Sequence, residues 1–378
     1  MKIGIDGRLF GGQTGIGRYT TSLVTALVHL PERKDDLILL GTNTKARPID
    51  GVRFIGCESK HRIVWSNLHA PYCIRTQGIG VYHAVDNLGL PLFAPKGDAR
   101  YVLTVHDLVP LRFPSSVSWK HRWYFRLALG RLAHLADAIM VDSEATRQDL
   151  LGMYPRLEPR IQVVYLGIDH KRFFPTIGES RGDEIRRKYQ IHHGPYILFV
   201  GVLEPKKNLP NLLRAFRRLR EIWREGRHYQ LVLAGPRGWM IEDIFSVAQE
   251  ASLQEWVVIP GAIEDEDLPA LYCGAEVFVF PSIYEGFGLP PLEAMACGVP
   301  VITSNTSSLP ELVGDAAITV APYDVEGLAA AMRRVLEDMA LREGMRQKGI
   351  ERVKSFSWEK TARQTLKIYE EVWVEGGG

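Results

Sequence analysis

Short runs of Val, Ile, Leu and Phe alternate along the chain with longer stretches whose apolar positions recur every three or four residues. Uninterrupted apolar runs suit strands buried on both faces, and the 3.6-residue recurrence suits the helices that cover them. In the first half the pattern predicts strands over 2–6, 37–41, 52–55, 80–83, 101–105, 138–142 and 161–164, with helices over 16–30, 64–77, 117–135 and 143–152. That is the signature of one open, doubly wound α/β sheet. From 167 to 193 the regularity gives way to charge and punctuation, with Gly167, Pro175, Gly178 and Gly182 breaking the pattern. A fresh series then starts, with strands over 196–201, 230–234, 256–259, 276–280 and 299–303 and helices over 209–225, 240–252, 266–273 and 291–297. New apolar strands with their own crossovers imply a second sheet. The expected domains are therefore 1–175 and 190–355, two similar halves with a cleft between them and ligand chemistry in the loops beyond the carboxyl ends of the strands.

Two domains agree with a length of 378 residues, about two and a half times the ~150 residues that serve as a prior for one. Lys and Arg number 46 against 44 Asp and Glu, a net charge of +2, so no nucleic-acid partner is expected on global electrostatics. Cys57, Cys73, Cys273 and Cys297 lie too far apart for metal or redox spacing and read as reduced structural thiols. Met1-Lys2-Ile3-Gly4-Ile5-Asp6 runs straight into a strand without a signal segment, and no apolar run is long enough to cross a bilayer. A cytoplasmic location is expected.

The most informative stretch is 278–293, Phe-Val-Phe-Pro-Ser-Ile-Tyr-Glu-Gly-Phe-Gly-Leu-Pro-Pro-Leu-Glu. A strand ends at Pro281, a glycine-containing turn follows, and Pro290 or Pro291 suits the first position of a helix. Backbone N–H groups of such a turn and helix start face anions. Glu285 falls on the turn and Glu293 in the expected first helical turn, spaced to reach different parts of one ligand. Ionised carboxylates suit polyol hydroxyls, and either glutamate alone serves equally well as a structural cap.

Taken together, these residues resemble the E-x7-E motif of retaining glycosyltransferases of the GT4 family, which have the two-Rossmann-domain GT-B fold. The resemblance spans essentially the whole chain. It takes in Ala294-Met295-Ala296-Cys297-Gly298-Val299-Pro300, Ser304 to Glu311, Gly201-Val202-Leu203-Glu204-Pro205-Lys206-Lys207-Asn208, Asp142-Ser143-Glu144, Gly167-Ile168-Asp169 and Gly15-Ile16-Gly17-Arg18-Tyr19. It implies that Glu285 contacts hydroxyls of a donor sugar, that Glu293 contacts a ribose, and that the backbone at Phe287, Gly288 and Leu289 approaches sugar and phosphate. Lys207 matches the family's diphosphate-binding lysine, and a leaving diphosphate gains negative charge that a placed cation stabilises. Val202 departs from the arginine that many members carry there. Lys206 is our candidate for the missing second cation, with a solvated lysine at a helix start as the equal alternative. The turn 261–263, with Ile263, is expected to touch the nucleotide base.

His106 follows the strand 101–105, and the resemblance places it near the sugar's reacting centre without implying general-base action. Asp107 either faces the acceptor or merely turns the chain. The loop Gly11-Gly12-Gln13-Thr14-Gly15-Ile16-Gly17-Arg18 also fits the glycine spacing of short-chain dehydrogenases. A glycine-rich turn is weak evidence. No Tyr-x3-Lys pair exists in the chain, and Asp35 and Asp36 precede the second strand rather than ending it. Gly15 and Gly17 are accordingly assigned to the donor phosphate and Arg18 to the acceptor side. Asp265-Glu266-Asp267 spells a metal-binding triplet, but it stands at a helix start where acids favour the dipole. Metal-independent catalysis is expected.

The helix over 117–131 mixes Trp119, Trp123, Tyr124 and Phe125 with Lys120, Arg122, Arg126 and Arg131. It suits an anionic membrane surface, although burying the aromatics and leaving the cations in water is the plainer reading. In this fold the amphipathic segment 357–375 returns to the first domain. The resemblance thus implies a hexosyltransferase, with mannose from GDP-mannose as the first donor and a glycan or lipid-linked hydroxyl as acceptor. The alternatives are a sugar-nucleotide epimerase or a non-catalytic nucleotide-sugar-binding relative on the same fold.

Overall fold

A computed structural model describes all residues except 13, 43–48, 57–61, 93–98, 114–118, 176–177, 193, 240–245, 248–252 and 378. The chain forms two compact units, 1–167 joined by 357–378, and 168–356.

The first unit is built on β1 (Lys2–Asp6), β2 (Asp36–Thr42), β3 (Val52–Gly56), β4 (Val81–Ala84), β5 (Arg100–Val105), β6 (Ala138–Val141) and β7 (Ile161–Val163), in the order β3-β2-β1-β4-β5-β6-β7. Every pairing is parallel. The sequence order reverses between β1 and β4, which makes their carboxyl ends a topological switch point where such sheets bind ligands. The second unit repeats the plan with β8 (Tyr196–Val200), β9 (Gln230–Ala234), β10 (Val257–Gly261), β11 (Val277–Phe280), β12 (Val301–Ser304) and β13 (Ala317–Val320), ordered β10-β9-β8-β11-β12-β13 and again parallel. Its switch point lies between β8 and β11. Central strands such as β6, β9 and β11 are buried along their whole length, which is why they read as unbroken apolar runs.

Three features depart from the sequence pattern or extend it. The helix expected over 64–77 is divided, with a π turn at Trp65–His69 feeding the helix Ala70–Gln77. Pro71 cannot donate the bond that a continuous α-helix needs, and the wider turn absorbs the mismatch. The charged stretch after 167 contains a helix, Glu179–Lys188, that apolar periodicity does not reveal. It is held by the buried Ile185 and by ion pairs from Arg181 and Lys188 to Asp267 at 2.5 and 2.7 Å. The helix expected over 240–252 lies largely outside the described residues.

The final helix, Trp358–Glu375, starts with Ser357 accepting the Lys360 N–H at 3.2 Å. It packs on the helix Gly15–Val28 and on β4 and β5, burying Leu366, Ile368, Tyr369 and Val372. Two glycines make room for it. A Cβ on Gly167 would lie 2.1 Å from the Trp358 nitrogen, and one on Gly80 would lie 2.4 Å from the Trp373 ring.

Candidate active site

In the second unit the switch point gathers the charged residues. After β8 the chain passes through Gly201 and Val202 into the short turn Pro205–Lys207, and Asn208 adopts a left-handed φ of 59° before the helix Leu209–Ile222. After β11 it passes through Pro281 and Ser282 to Glu285. The two loops are stitched together, since the Ile283 N–H and the Ser282 hydroxyl both donate to the Lys206 carbonyl, at 2.8 and 3.1 Å.

Lys207 Nζ then reaches Glu285 Oε1 at 2.5 Å, the Ser282 hydroxyl donates to the same oxygen, and Lys206 Nζ stands 3.7 Å from Oε2. The Lys207 ammonium also sits 4.8 Å from the centre of the Phe280 ring. Burial pushes the Lys207 ammonium below the ordinary lysine value, an effect that Glu285 only partly offsets. Burial alone would raise the Glu285 carboxyl, but Lys206 and Lys207 outweigh it and hold the group below the usual carboxylate range. Two cations therefore face the Glu285 carboxylate in a largely desolvated site. Glu204 shares Lys206, at 3.5 Å.

A second loop fixes this one. The Glu285 N–H donates to Ser307 Oγ at 2.8 Å, Thr306 donates to the Ile283 carbonyl at 3.0 Å, and Ser308 donates to the Glu285 carbonyl at 3.0 Å and lies on that of Phe287. Ser307 carries a φ of 58°, a conformation that costs a non-glycine residue energy and is held here by its hydrogen bonds. The hydroxyls thus occupy the loop's carbonyls. Gly288 has a φ of 128° and no space for a Cβ, which would meet Leu309 at 2.9 Å. The helix Leu289–Ala296 begins Leu-Pro-Pro, and prolines have no N–H, so its start offers an anion fewer donors than an ordinary helix would.

Glu293 lies beyond the first turn of that helix, not within it as the sequence suggested. It is buried and accepts a hydrogen bond from the Tyr272 hydroxyl at 2.9 Å. The dipole explanation for this glutamate therefore weakens. Ile263 is half-buried on the loop after β10, the edge strand two places from β8. The triplet Asp265-Glu266-Asp267 is partly consumed by the fold, because Asp267 accepts from Lys188 and Tyr189, both at 2.7 Å, and pairs with Arg181.

In the first unit, β5 delivers His106 to the carboxyl edge of the sheet. Its Nδ1 lies 2.6 Å from Asp142 Oδ2 and its Nε2 2.9 Å from the Val85 carbonyl, so both ring nitrogens face acceptors. Both must then donate, which describes an imidazolium. Burial opposes that charge, but Asp142 and the Val85 carbonyl overcome it and lift the group to about 9. The Tyr19 ring meets His106 edge-on with centroids 4.7 Å apart. Asp107 turns the chain, its Oδ1 accepting the Val109 N–H at 3.1 Å.

Gly15 is exposed, with open space at its Cβ position. Gly17 is buried, and a Cβ there would sit 2.5 Å from the Gly12 carbonyl oxygen, so its own loop already demands glycine. Thr14 caps the following helix by accepting the Gly17 N–H at 3.1 Å, and Arg18 is half-buried on its first turn.

Sequence reasoning passed over several participants. Asp142 was visible only as part of a motif, and nothing local ties it to His106. Arg8 lies between Asp6 and Asp86 at the ends of β1 and β4, at 2.9 and 3.0 Å, and the run Asp6-Gly7-Arg8 at a strand end was the available signal. Ser282 and Tyr272 gave no signal at all.

Residues 14–172 match the family described as Glycosyltransferase Family 4, and residues 182–352 match Glycosyl transferases group 1. The O-antigen chain mannosyltransferase B of Escherichia coli is 34% identical over 290 residues, which cover 77% of this chain and 74% of that protein. The chain belongs to the group 1, GT4-type glycosyltransferases. Among solved structures, sucrose-phosphate synthase from Thermosynechococcus elongatus superposes with a TM-score of 0.79 at 22% identity, covering 99% of this chain and all of that one. Anabaena HepE in complex with UDP-glucose superposes with a TM-score of 0.75 at 16% identity, covering 98% and 99%. At these identities the likeness establishes the GT-B fold of this glycosyltransferase. No helix among its described residues is long and apolar enough to cross a membrane.

Proposed function

We propose that this glycosyltransferase moves a mannosyl unit from GDP-mannose to a hydroxyl of a glycan or lipid-linked acceptor, with retention of configuration and without a metal ion, at the cytoplasmic side of a membrane. The Lys206–Lys207–Glu285 cluster carries the reading. In the donor, the bond from C1 of the sugar to the diphosphate breaks, and the bonding electrons leave with the phosphate oxygen. A bond forms from the acceptor oxygen to C1 on the same face, and the acceptor's proton passes to the departing diphosphate. Lys207 and Lys206 stabilise the charge that grows on the leaving group, in a desolvated site where such contacts count most. As diphosphate oxygens engage Lys207, Glu285 is released to accept hydrogen bonds from sugar hydroxyls. Glu293 and Tyr272 suit the ribose, and Ile263 the base.

His106 acts here as a fixed cation near the sugar and not as a base, since neither ring nitrogen has a free lone pair. Gly15 and Gly17 are assigned to the donor phosphate, with Arg18 and Asp107 on the acceptor side. The choice of mannose draws on the E. coli mannosyltransferase relative, and a nucleotide-sugar donor on the UDP-glucose bound by HepE. The test is a donor panel of GDP-mannose, UDP-glucose, UDP-N-acetylglucosamine, ADP-glucose and dTDP-rhamnose, scored by thermal shift and slow donor hydrolysis. GDP-mannose should give the largest stabilisation and turnover, unchanged by EDTA. Loss of turnover in EDTA would remove the metal-independent mechanism, and a preference for a different sugar would remove mannose.

A further inference from the structure

Segments 62–77 and 119–135 together contain six Lys and Arg and no Asp or Glu, in a chain where the two classes are nearly balanced. They lie side by side in the first unit. Ile63 and Asn67 of one line a crevice with Tyr124, Ala128 and Leu132 of the other. Leu92 bridges them, donating its N–H to Asn67 at 2.8 Å and accepting from Arg131 at 2.7 Å.

The helix Trp119–Leu135 buries Phe125, Ala128, Leu129, Leu132 and Ala133. The plainer expectation was that its other aromatics would be buried as well, and the structure overturns it. Trp119, Trp123 and Leu127 are 69%, 56% and 68% exposed, and their four-residue spacing puts them in one row on the helix surface. Tyr124 is exposed beside them, as are Ile63, Leu68 and Tyr72 on the neighbouring segment. Below Leu127 the row runs into a groove of about 550 Å³ lined by Arg126, Arg131, His134 and Tyr154. Tryptophan favours the headgroup level of a bilayer, and two cationic segments that contain no carboxylate of their own complement an anionic leaflet.

We propose that this two-helix surface seats the enzyme on a bilayer containing anionic phospholipid, with Trp119, Trp123 and Leu127 entering the headgroup boundary and the groove cations meeting lipid phosphates. The proposal concerns a surface apart from the Lys207 cluster and does not depend on the transfer reading.

The test is co-flotation of the full chain with phosphatidylcholine vesicles, with and without phosphatidylglycerol, in the absence of donor and acceptor. Binding should appear only with phosphatidylglycerol, should fall as salt is raised, and should shift tryptophan emission to the blue. The pair Trp119→Ser with Trp123→Ser, and the pair Lys120→Glu with Arg126→Glu, should each lower the bound fraction at least about tenfold. Both pairs alter exposed side chains, so their thermal unfolding should match the parent. Lys207→Ala should float as the parent does, which separates this surface from the reaction. Absence of flotation on both vesicles, equal flotation on both, or full binding by the pair variants overturns the proposal. Displacement by soluble glycerol phosphate would overturn it in favour of a free phosphate ligand, and retention only by another protein in favour of a protein partner.

Discussion

Replacing Lys207 by alanine removes the cation on which the proposed chemistry rests. In the resting site that cation is bound to Glu285 at 2.5 Å, with Lys206 at 3.7 Å as the other charge on the same carboxylate. Loss of one preorganised group that stabilises developing charge typically costs about 2.7–4 kcal/mol. Lys206 stays close enough to recover part of it, so about 2–3 kcal/mol is expected, and at 1.36 kcal/mol per decade this is roughly a hundredfold fall in kcat/KM. The loss should fall mostly on kcat, because the charge is largest as the bond breaks. Glu285 keeps Lys206 and Ser282 as partners, so the variant should remain folded, and near-parent unfolding is the control. The assay is release of nucleoside diphosphate from the donor, together with calorimetric titration of the nucleoside diphosphate and monophosphate. The variant should lose affinity for the diphosphate while binding the monophosphate much as the parent does. Full turnover, or equal loss of affinity for both nucleotides, would refute the role given to Lys207.

Asp142→Asn should bring the His106 titration down from about 9 toward its ordinary value near 6.5, as read by histidine-resolved NMR. Because the folded value is raised, the stability His106 contributes is fully present below about 6.5 and is lost as pH rises through about 9. Urea melts at the two ends of that window should differ by up to about 3 kcal/mol in the parent and by much less in the variant. Tyr272→Phe removes the hydrogen bond that orients Glu293 and should raise the donor KM several-fold with kcat nearly unchanged, so a pure kcat effect would contradict the ribose assignment. Gly167→Ala forces a methyl group to within 2.1 Å of the Trp358 nitrogen and should destabilise the first unit by about 1–3 kcal/mol or more, visible as a lowered thermal midpoint.

What could be read from the sequence follows from how local each feature is. Strands such as Val277–Phe280 and Tyr196–Val200 announce themselves because both faces are buried, and the helices between them because one face is. The helix Glu179–Lys188 escaped notice because its anchors are a single buried Ile185 and ion pairs to Asp267, a partner more than seventy residues away. At the site, Glu285 and Glu293 were singled out together from their spacing, yet their environments differ. Glu285 is neutralised by lysines from the other side of the switch point, whereas Glu293 is held by a tyrosine hydroxyl. The link between His106 and Asp142 is a tertiary fact, and so is the left-handed Ser307 that pins the Glu285 loop. Spacing identified the side chains, but it could not give their charge states, because these depend on partners brought in by other strands.

The passage of the chain back across Gly167 has a consequence for the order in which the protein is completed. Residues 168–356 form an uninterrupted unit that can fold once they have been synthesised. The first 167 residues emerge earlier but still lack the helix that covers β4 and β5 and brings Tyr369 to the buried His83, at 2.7 Å. Domains generally fold as units in the order they leave the ribosome. Here the half that carries His106 is translated first and finished last. Until Trp358–Glu375 arrives, its apolar sheet face is exposed to chaperones and aggregation, so a released chain truncated after residue 356 would hold a finished second unit and an unfinished first.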